Sequence, residues 1–274
     1  MGPGKAGKQR GRNAVGTVYC AGVDVGSVST AAVVVDGGGF VLGRHVVATG
    51  ARCAHAAGLA LTGALAGASL QRLSIAALIA TGYGRDRVDG RTDTVTEITC
   101  HARGIAALVP DARFLIDVGG QDCKAILLGP GGAVLDFAMN DRCAAGTGRF
   151  FESMCRALEI DLDELGPLAL AAAAAVSVSH VCAVFAESEV IGLLARGESK
   201  ADVAAAVCES AAKQVTALAR RVGPQEPVAL SGGAARNVGF VRALERKLGR
   251  LVCIPSDPEL VGALGAALLA LDSV

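Results

Sequence analysis

The 274-residue chain has no tryptophan, two tyrosines and 3% aromatic residues in all. That scarcity leaves no set of rings on which successive nucleobases could stack. A surplus of either charge is also missing: 26 basic residues face 26 acidic ones. No general attraction to nucleic acid or to an anionic membrane is therefore built in. Long hydrophobic runs are absent. The longest, around Leu168 to Val176 and Val261 to Leu271, fall short of the ~20 residues that cross a bilayer. The N-terminus is basic and glycine-rich (Lys5, Lys8, Arg10, Arg12) with no apolar core behind it, unlike a secretory signal. A cytoplasmic protein is expected, with neither membrane nor nucleic acid among its partners.

What is present is apolar. Residues of that kind make up 52% of the chain and charged ones 19%, which excludes disorder for the bulk of it. Nine cysteines stand at 20, 53, 100, 123, 143, 155, 182, 208 and 253, none in a C-x-x-C pair. No single segment can therefore form a zinc knuckle or a ferredoxin-type cluster. Most are expected as small buried hydrophobes. Any that bind metal must converge from separate segments or from two chains. The run Gly2-Pro-Gly-Lys-Ala-Gly7-Lys8 imitates a phosphate loop, but Gln9 stands where serine or threonine is required and no strand precedes it. Residues 1–17 are read as a flexible basic tail.

The chain repeats itself at an offset of 93. Asp24-Val25-Gly26 aligns with Asp117-Val118-Gly119, Ala32 with Ala125, Gly38-Gly39 with Gly131-Gly132, and Val41-Leu42 with Val134-Leu135. Eight of 19 positions are identical without a gap. Each copy reads as an apolar strand ending in Asp-Val-Gly, a small-residue turn, a second strand, a glycine hairpin and a third strand. Helices follow, at roughly 51–68 and 94–108, then 146–158, 183–196, 200–221, 234–248 and 259–271, with short strands at 75–80 and 227–231. This pattern predicts an α/β fold of two mixed sheets covered by helices. The expected lobes span 18–110 and 111–274 and face each other across a cleft.

Asp24 and Asp117 should meet in that cleft. Two carboxylates in a closed site need a counter-charge, and Mg²⁺ carrying phosphates would supply it. Gly26, Gly119 and Gly120 let backbone N–H groups approach phosphate oxygens. Ser27, Ser29 and Thr30 add hydroxyls to the first turn. Gln121 and Asp122 follow the second, where they are placed to orient an attacking water, although plain turn hydrogen bonding serves equally. A third turn, Ser231-Gly232-Gly233, opens a helix carrying Asn237, a common nucleotide-contact geometry. Glu97 and His101 share a helix face, which is read as structural.

These turns and the duplication resemble the superfamily of acetate and sugar kinases, heat-shock chaperones and actin, whose lobes are ribonuclease H-like with a nucleotide cleft between them. Five segments narrow the likeness: Thr81-Gly-Tyr-Gly-Arg85, Thr96-Glu-Ile-Thr-Cys-His101, Asp117-Val-Gly-Gly-Gln-Asp122, Asn140 to Glu152, and Cys182 to Ile191. From about residue 20 to 271 the chain resembles the 2-hydroxyacyl-CoA dehydratase activators, relatives of the ATPase subunits of benzoyl-CoA reductase. The resemblance implies an oxygen-sensitive homodimer that binds ATP and Mg²⁺, hydrolyses ATP to ADP, and passes one electron to a dehydratase or related reductase. It implies a [4Fe-4S] cluster shared between the subunits, with Cys143 and Cys182 as ligands, and a ferredoxin or flavodoxin as electron donor. Each of these cysteines precedes a predicted helix, whose N-terminal field favours a thiolate; Glu187 and Glu189 are expected to cap the second helix. From the residues alone, two buried cysteines at helix starts is the favoured reading; the resemblance reverses that. The chain departs from the family at Ala31, where a lysine is usual. The alternatives are a permanent ATPase and electron-input subunit of a benzoyl-CoA reductase-type complex, and, on the same fold, a small-molecule kinase or a nucleotide-gated binding protein; the last two would be free of iron.

Overall fold

A computed structural model describes residues 18–141, 143–179 and 182–274. The expected tail, and His180 ahead of Cys182, lie outside the described residues.

The duplication is realised strand for strand. In the first lobe β1 (Tyr19–Val25), β2 (Ser29–Asp36), β3 (Val41–Ala48), β4 (Ile75–Thr81) and β5 (Asp93–Thr94) form a sheet of order β3-β2-β1-β4-β5. In the second, β6 (Phe114–Val118), β7 (Cys123–Leu128), β8 (Val134–Asn140), β9 (Val228–Ser231) and β10 (Val252–Cys253) repeat it as β8-β7-β6-β9-β10. Pairing repeats too: β1–β2 and β6–β7 are antiparallel, β1–β4 and β6–β9 parallel. The central strands are apolar on both faces, as strands covered by helices must be. Ala32 to Val35 and Phe114 to Val118 are buried throughout.

Eight helices occur among the described residues: α1 (Cys53–Gly67), α2 (Glu97–Leu108), α3 (Gly148–Leu158), α4 (Leu165–Leu170), α5 (Ala183–Ala195), α6 (Lys200–Val222), α7 (Val238–Leu248) and α8 (Val261–Asp272). Hydroxyl caps define two starts: Thr96 accepts from the Thr99 N–H ahead of α2, and Ser199 from the Asp202 N–H ahead of α6. The predicted 234–248 helix is a 3-10 turn (Gly233–Arg236) and then α7, because Asn237 stops the first and caps the second. The predicted 259–271 helix likewise opens with a 3-10 turn, Pro258–Leu260. Part of the apolar run after Leu168 belongs to α4, a short helix the periodicity does not reveal.

Two helices cross between the sheets. α8, from the far end of the chain, packs its apolar residues on the first sheet in one cluster with Cys20, Val33 and Ile79. α2, from the first half, packs Ile98, Ala102 and Ile105 against Leu115 and Ile126 of the second sheet. The two helices cross where only hydrogen fits between them: a Cβ on Gly104 would fall 2.1 Å from the Val261 carbonyl oxygen, and one on Gly265 at 1.7 Å from that of Cys100. α8 is apolar on every side because it is covered on every side. No helix among the described residues is long and apolar enough to cross a membrane.

Candidate functional site

Between the lobes lies a cleft of about 1170 Å³. Its floor is made by the two repeated turns, which touch: a Cβ on Gly120 would fall 2.3 Å from Val28 Cγ2. Each turn is closed the same way, with the Gly26 N–H donating to the Ser29 carbonyl (3.0 Å) and the Gly119 N–H to that of Asp122 (3.0 Å). Asp24, Gly26, Ser27, Ser29, Asp117, Gly119, Gly120, Gln121, Asp122, Gly232, Gly233 and Asn237 all line the cleft, as the sequence predicts.

Two predicted residues do not line it. Thr30 is fully buried behind the first turn, 2.9 Å from the Thr49 hydroxyl, which in turn donates to the Gly26 carbonyl. Ser231 is fully buried and donates to Asp117 Oδ1 at 2.7 Å. Both brace a turn from behind. Asn237 reaches the cleft, but its Oδ1 accepts from the Phe240 N–H (3.0 Å), so its amide oxygen serves the α7 cap. Its Nδ2 is buried without a partner.

The counter-charge between the turns is carried by this chain's own cations. Lys124 Nζ lies 2.9 Å from Asp122 Oδ1, 3.2 Å from Asp117 Oδ2 and 3.3 Å from Glu97 Oε2. His101 Nε2 lies 3.3 Å from Asp117 Oδ1, while Nδ1 is 2.9 Å from the Glu97 carbonyl. Both ring nitrogens thus face acceptors, which requires the doubly protonated ring. Burial alone would lower the pKa of His101, yet the charge and hydrogen bond of Asp117, together with the Asp24 charge, outweigh it and lift the group to about 9. Burial likewise works against the Lys124 ammonium, and its three carboxylates more than offset it. Asp117, buried as deeply, is held well below the usual carboxylate range by His101, Lys124 and Ser231. Glu97 and His101, read from spacing as structural, therefore belong to the site. Their signal in the sequence was the i, i+4 pair on one helix face.

Asp24 is different. Among the described residues nothing hydrogen-bonds its carboxylate or comes within ion-pair reach. Burial pushes its pKa up, and His101 and Lys124 only partly counter this. The backbone comes unusually close: a Cβ on Gly262, in α8, would fall 2.2 Å from Asp24 Oδ2. An unpaired carboxylate in a cleft beside hydroxyls is the place here for a hydrated divalent cation. Asp117, with both oxygens occupied, is not.

The cysteines divide sharply. Cys20, Cys100, Cys123, Cys155 and Cys208 are buried, Cys53 is half-buried, and Cys143, Cys182 and Cys253 are exposed. Cys182 is the residue before α5, as expected. Cys143 lies five residues ahead of α3, whose N-cap is Thr147. The first N–H groups of α3 do not face it: Gly148 donates to the Gly119 carbonyl (2.9 Å) and Arg149 to that of Gly120 (2.8 Å). The second Asp-Val-Gly turn and the Cys143 loop are thereby stitched together, with the Cys123 thiol adding a bond to the Gly146 carbonyl at 3.3 Å. Glu187 and Glu189 fall outside the first turn of α5 and do not cap it. Glu187 accepts from the Ser153 hydroxyl of α3 (2.6 Å), and Glu189 from Ser179. α3 and α5 are thus tied side by side, each preceded by an exposed cysteine. No cluster of three or more His, Cys, Asp or Glu with metal-binding geometry occurs among the described residues. One chain offers two thiols, half of a four-thiolate set.

Residues 21–270 match the BadF/BadG/BcrA/BcrD ATPase family. The chain is 43% identical over 256 residues to the activator of lactoyl-CoA dehydratase from Anaerotignum propionicum, covering 93% of this chain and 98% of that one. It is 39% identical over 255 residues to the 2-hydroxyisocaproyl-CoA dehydratase activator of Clostridioides difficile, covering 93% and 96%. The solved structure of that activator with bound ADPNP superposes at a TM-score of 0.89 over 93% of this chain and 95% of that one. A benzoyl-CoA reductase subunit of Thauera aromatica is 34% identical over 215 residues, 76% of each chain. A ROK family glucokinase from Streptomyces griseus shares the fold alone, at a TM-score of 0.56 and 16% identity over 94% of this chain and 100% of that one. The chain belongs to the BadF/BadG/BcrA/BcrD ATPase family, on the sugar-kinase type of duplicated α/β fold.

Proposed function

We propose that this ATPase-family member is the ATP-dependent reductive activator of a 2-hydroxyacyl-CoA dehydratase. It works as a homodimer in the cytoplasm, with ferredoxin or flavodoxin as electron donor. Support comes from the activators it resembles along nearly its whole length and from the cleft, where an unpaired carboxylate sits among glycine turns. Asp24 holds Mg²⁺, directly or through water. Gly26, Ser27, Ser29, Gly119 and Gly120 surround the phosphates, and Gly232, Gly233 and Asn237 the nucleoside. Asp117 anchors the Lys124 and His101 cations in place. Gln121, exposed at the cleft, and Asp122 beside it orient the hydrolytic water.

The observation that carries the redox half is the pair of exposed thiols, Cys143 and Cys182, ahead of two helices tied to each other. A two-fold dimer brings four such thiols together. A [4Fe-4S] cluster bound there supplies a single low-potential electron. The chain's part is to hold that ligand set and link it to the nucleotide: Gly148 and Arg149 join the Cys143 loop to the second phosphate turn. Nucleotide binding can shift the loop only by its differential affinity for two arrangements. A permanent ATPase component of a benzoyl-CoA reductase type complex is the second reading, supported by the likeness to the Thauera aromatica protein.

The test is anaerobic purification with iron and sulfide assayed per dimer, alongside ATP hydrolysis. We expect about four irons per dimer, lost in both Cys143→Ala and Cys182→Ala while melting curves are retained. Iron-free wild-type protein that hydrolyses ATP or phosphorylates a small molecule would refute the redox half. Stable co-purification with larger subunits would favour the second reading.

A further inference from the structure

A nucleoside triphosphate is a polyanion, and the cleft is already acidic: eight carboxylate side chains line it against four basic ones, Arg85, His101, Lys124 and Arg236. Three of those four are committed. Lys124 is shared by three carboxylates and His101 faces Asp117. Arg236 Nη2 lies 2.7 Å from Glu259 Oε1. Arg85 is the exception. Among the described residues its guanidinium meets no carboxylate, and it makes a single bond, from Nη1 to the Gly82 carbonyl of its own turn at 3.2 Å.

The backbone that carries Arg85 is fixed against the first phosphate turn. Thr81-Gly-Tyr-Gly-Arg85 leaves β4 and folds over the end of β1, where the Gly84 N–H donates to the Val25 carbonyl at 2.9 Å. Gly82 has φ +85°, and a Cβ on it would fall 2.4 Å from Asp24 Oδ1. On Gly84 a Cβ would fall 2.5 Å from Val25 Cγ1. The two glycines let this turn lie directly on Asp24, and the next residue enters the cleft. The first lobe needs such a cation. In the second, Asp117 pairs in register with Lys124; in the first, Asp24 pairs with Ala31.

We propose that Arg85 is a catalytic residue that binds the terminal phosphate of the nucleoside triphosphate and so distinguishes it from the diphosphate. The proposal rests on the ATPase reading above. Arg85 donates to terminal-phosphate oxygens, where a guanidinium fork fits. In the reaction, water oxygen bonds to that phosphorus and the bond to the bridging oxygen breaks. The products are diphosphate nucleotide and inorganic phosphate with release of a proton. Arg85 stabilises the charge on the transferred group.

The experiment compares wild type, Arg85→Gln and Arg85→Lys in three readouts: Kd for Mg-ADP, Kd for a non-hydrolysable Mg-ATP analogue, and kcat for ATP. For Arg85→Gln the ratio of analogue Kd to ADP Kd should rise at least about tenfold with ADP affinity within about twofold of wild type, and kcat should fall at least about 100-fold. Arg85→Lys should recover part of the affinity ratio and less of kcat. Should the glutamine variant melt before assay, the lysine variant is read on the same ratio. An unchanged ratio and kcat would overturn the proposal and leave Arg85 as a brace for its own turn. If wild type binds neither nucleotide, the ATPase reading falls, and this assignment with it.

Discussion

The two Asp-Val-Gly turns have one sequence and one backbone, yet opposite electrostatics. Asp117 is bonded from three sides: Lys124 on its antiparallel neighbour, Ser231 on its parallel neighbour and His101 from the exchanged helix α2. At the same register Asp24 meets Ala31 and Thr81, and Thr81 makes no bond to it. Burial pushes the carboxyl toward neutrality in the first lobe, whereas in the second its bonded neighbours overcome burial and hold it ionised. Duplication therefore made two equivalent positions, and three side chains divided the work: one aspartate as an anchor, the other free for a cation.

The harshest way to break this contrast is Lys124→Met. It leaves three carboxylates facing one another in a buried site and should cost about 3–5 kcal/mol of stability, read from urea unfolding. The reciprocal Ala31→Lys should be tolerated, since Asp24 waits at its register. Next comes the pair of neutralisations. Asp117→Asn strands the buried His101 cation, takes one of three carboxylates from Lys124, and should cost about 3 kcal/mol. Asp24→Asn should leave stability unchanged or raised, yet weaken Mg-ATP binding at least about tenfold. Equal stability losses for the two would end the distinction.

Protons sharpen it further. The folded pKa of His101 is raised to about 9, so its contribution is full below the unfolded value of about 6.5. That contribution is lost as pH rises through about 9, on the order of 3 kcal/mol. The folded pKa of Asp117 is depressed, so its contribution is present above about 4 and lost in stronger acid. His101→Gln should flatten the alkaline slope and leave the acid limb to Asp117. The gentlest comparison is Ser231→Ala against Thr81→Val: about 1–2 kcal/mol for the first, whose hydroxyl serves Asp117. The second should be near zero, because the Thr81 hydroxyl is buried without a partner.

The fold was legible because it is written twice: the offset of 93 predicted both hairpin sheets and the cleft between them. The glycine turns were legible for the same reason. Hidden in the sequence was the exchange of α2 and α8, since periodicity says how a helix is patterned but not which sheet receives it. That exchange brings Glu97 and His101 to Asp117, so their place in the site was hidden with it. Lys124 stands at the position duplicated from Ala31, but its three carboxylates come from two segments, Glu97 on α2 and the Asp117 to Asp122 turn. The lead from Cys143 to α3 looked like a helix start and is a loop, because Gly148 and Arg149 bond to the second Asp-Val-Gly turn instead. Arg85 sat in a recognisable segment with no sign that it alone would lack a carboxylate among the described cations of the cleft.

The crossing of α8 over α2 also dictates an order of assembly. Half the cover for the first sheet is encoded at 261–272, so a nascent chain that has already formed β1 to β4 must carry one greasy face bare until nearly everything else has left the ribosome. Such a long wait with an unprotected surface favours off-pathway clumping.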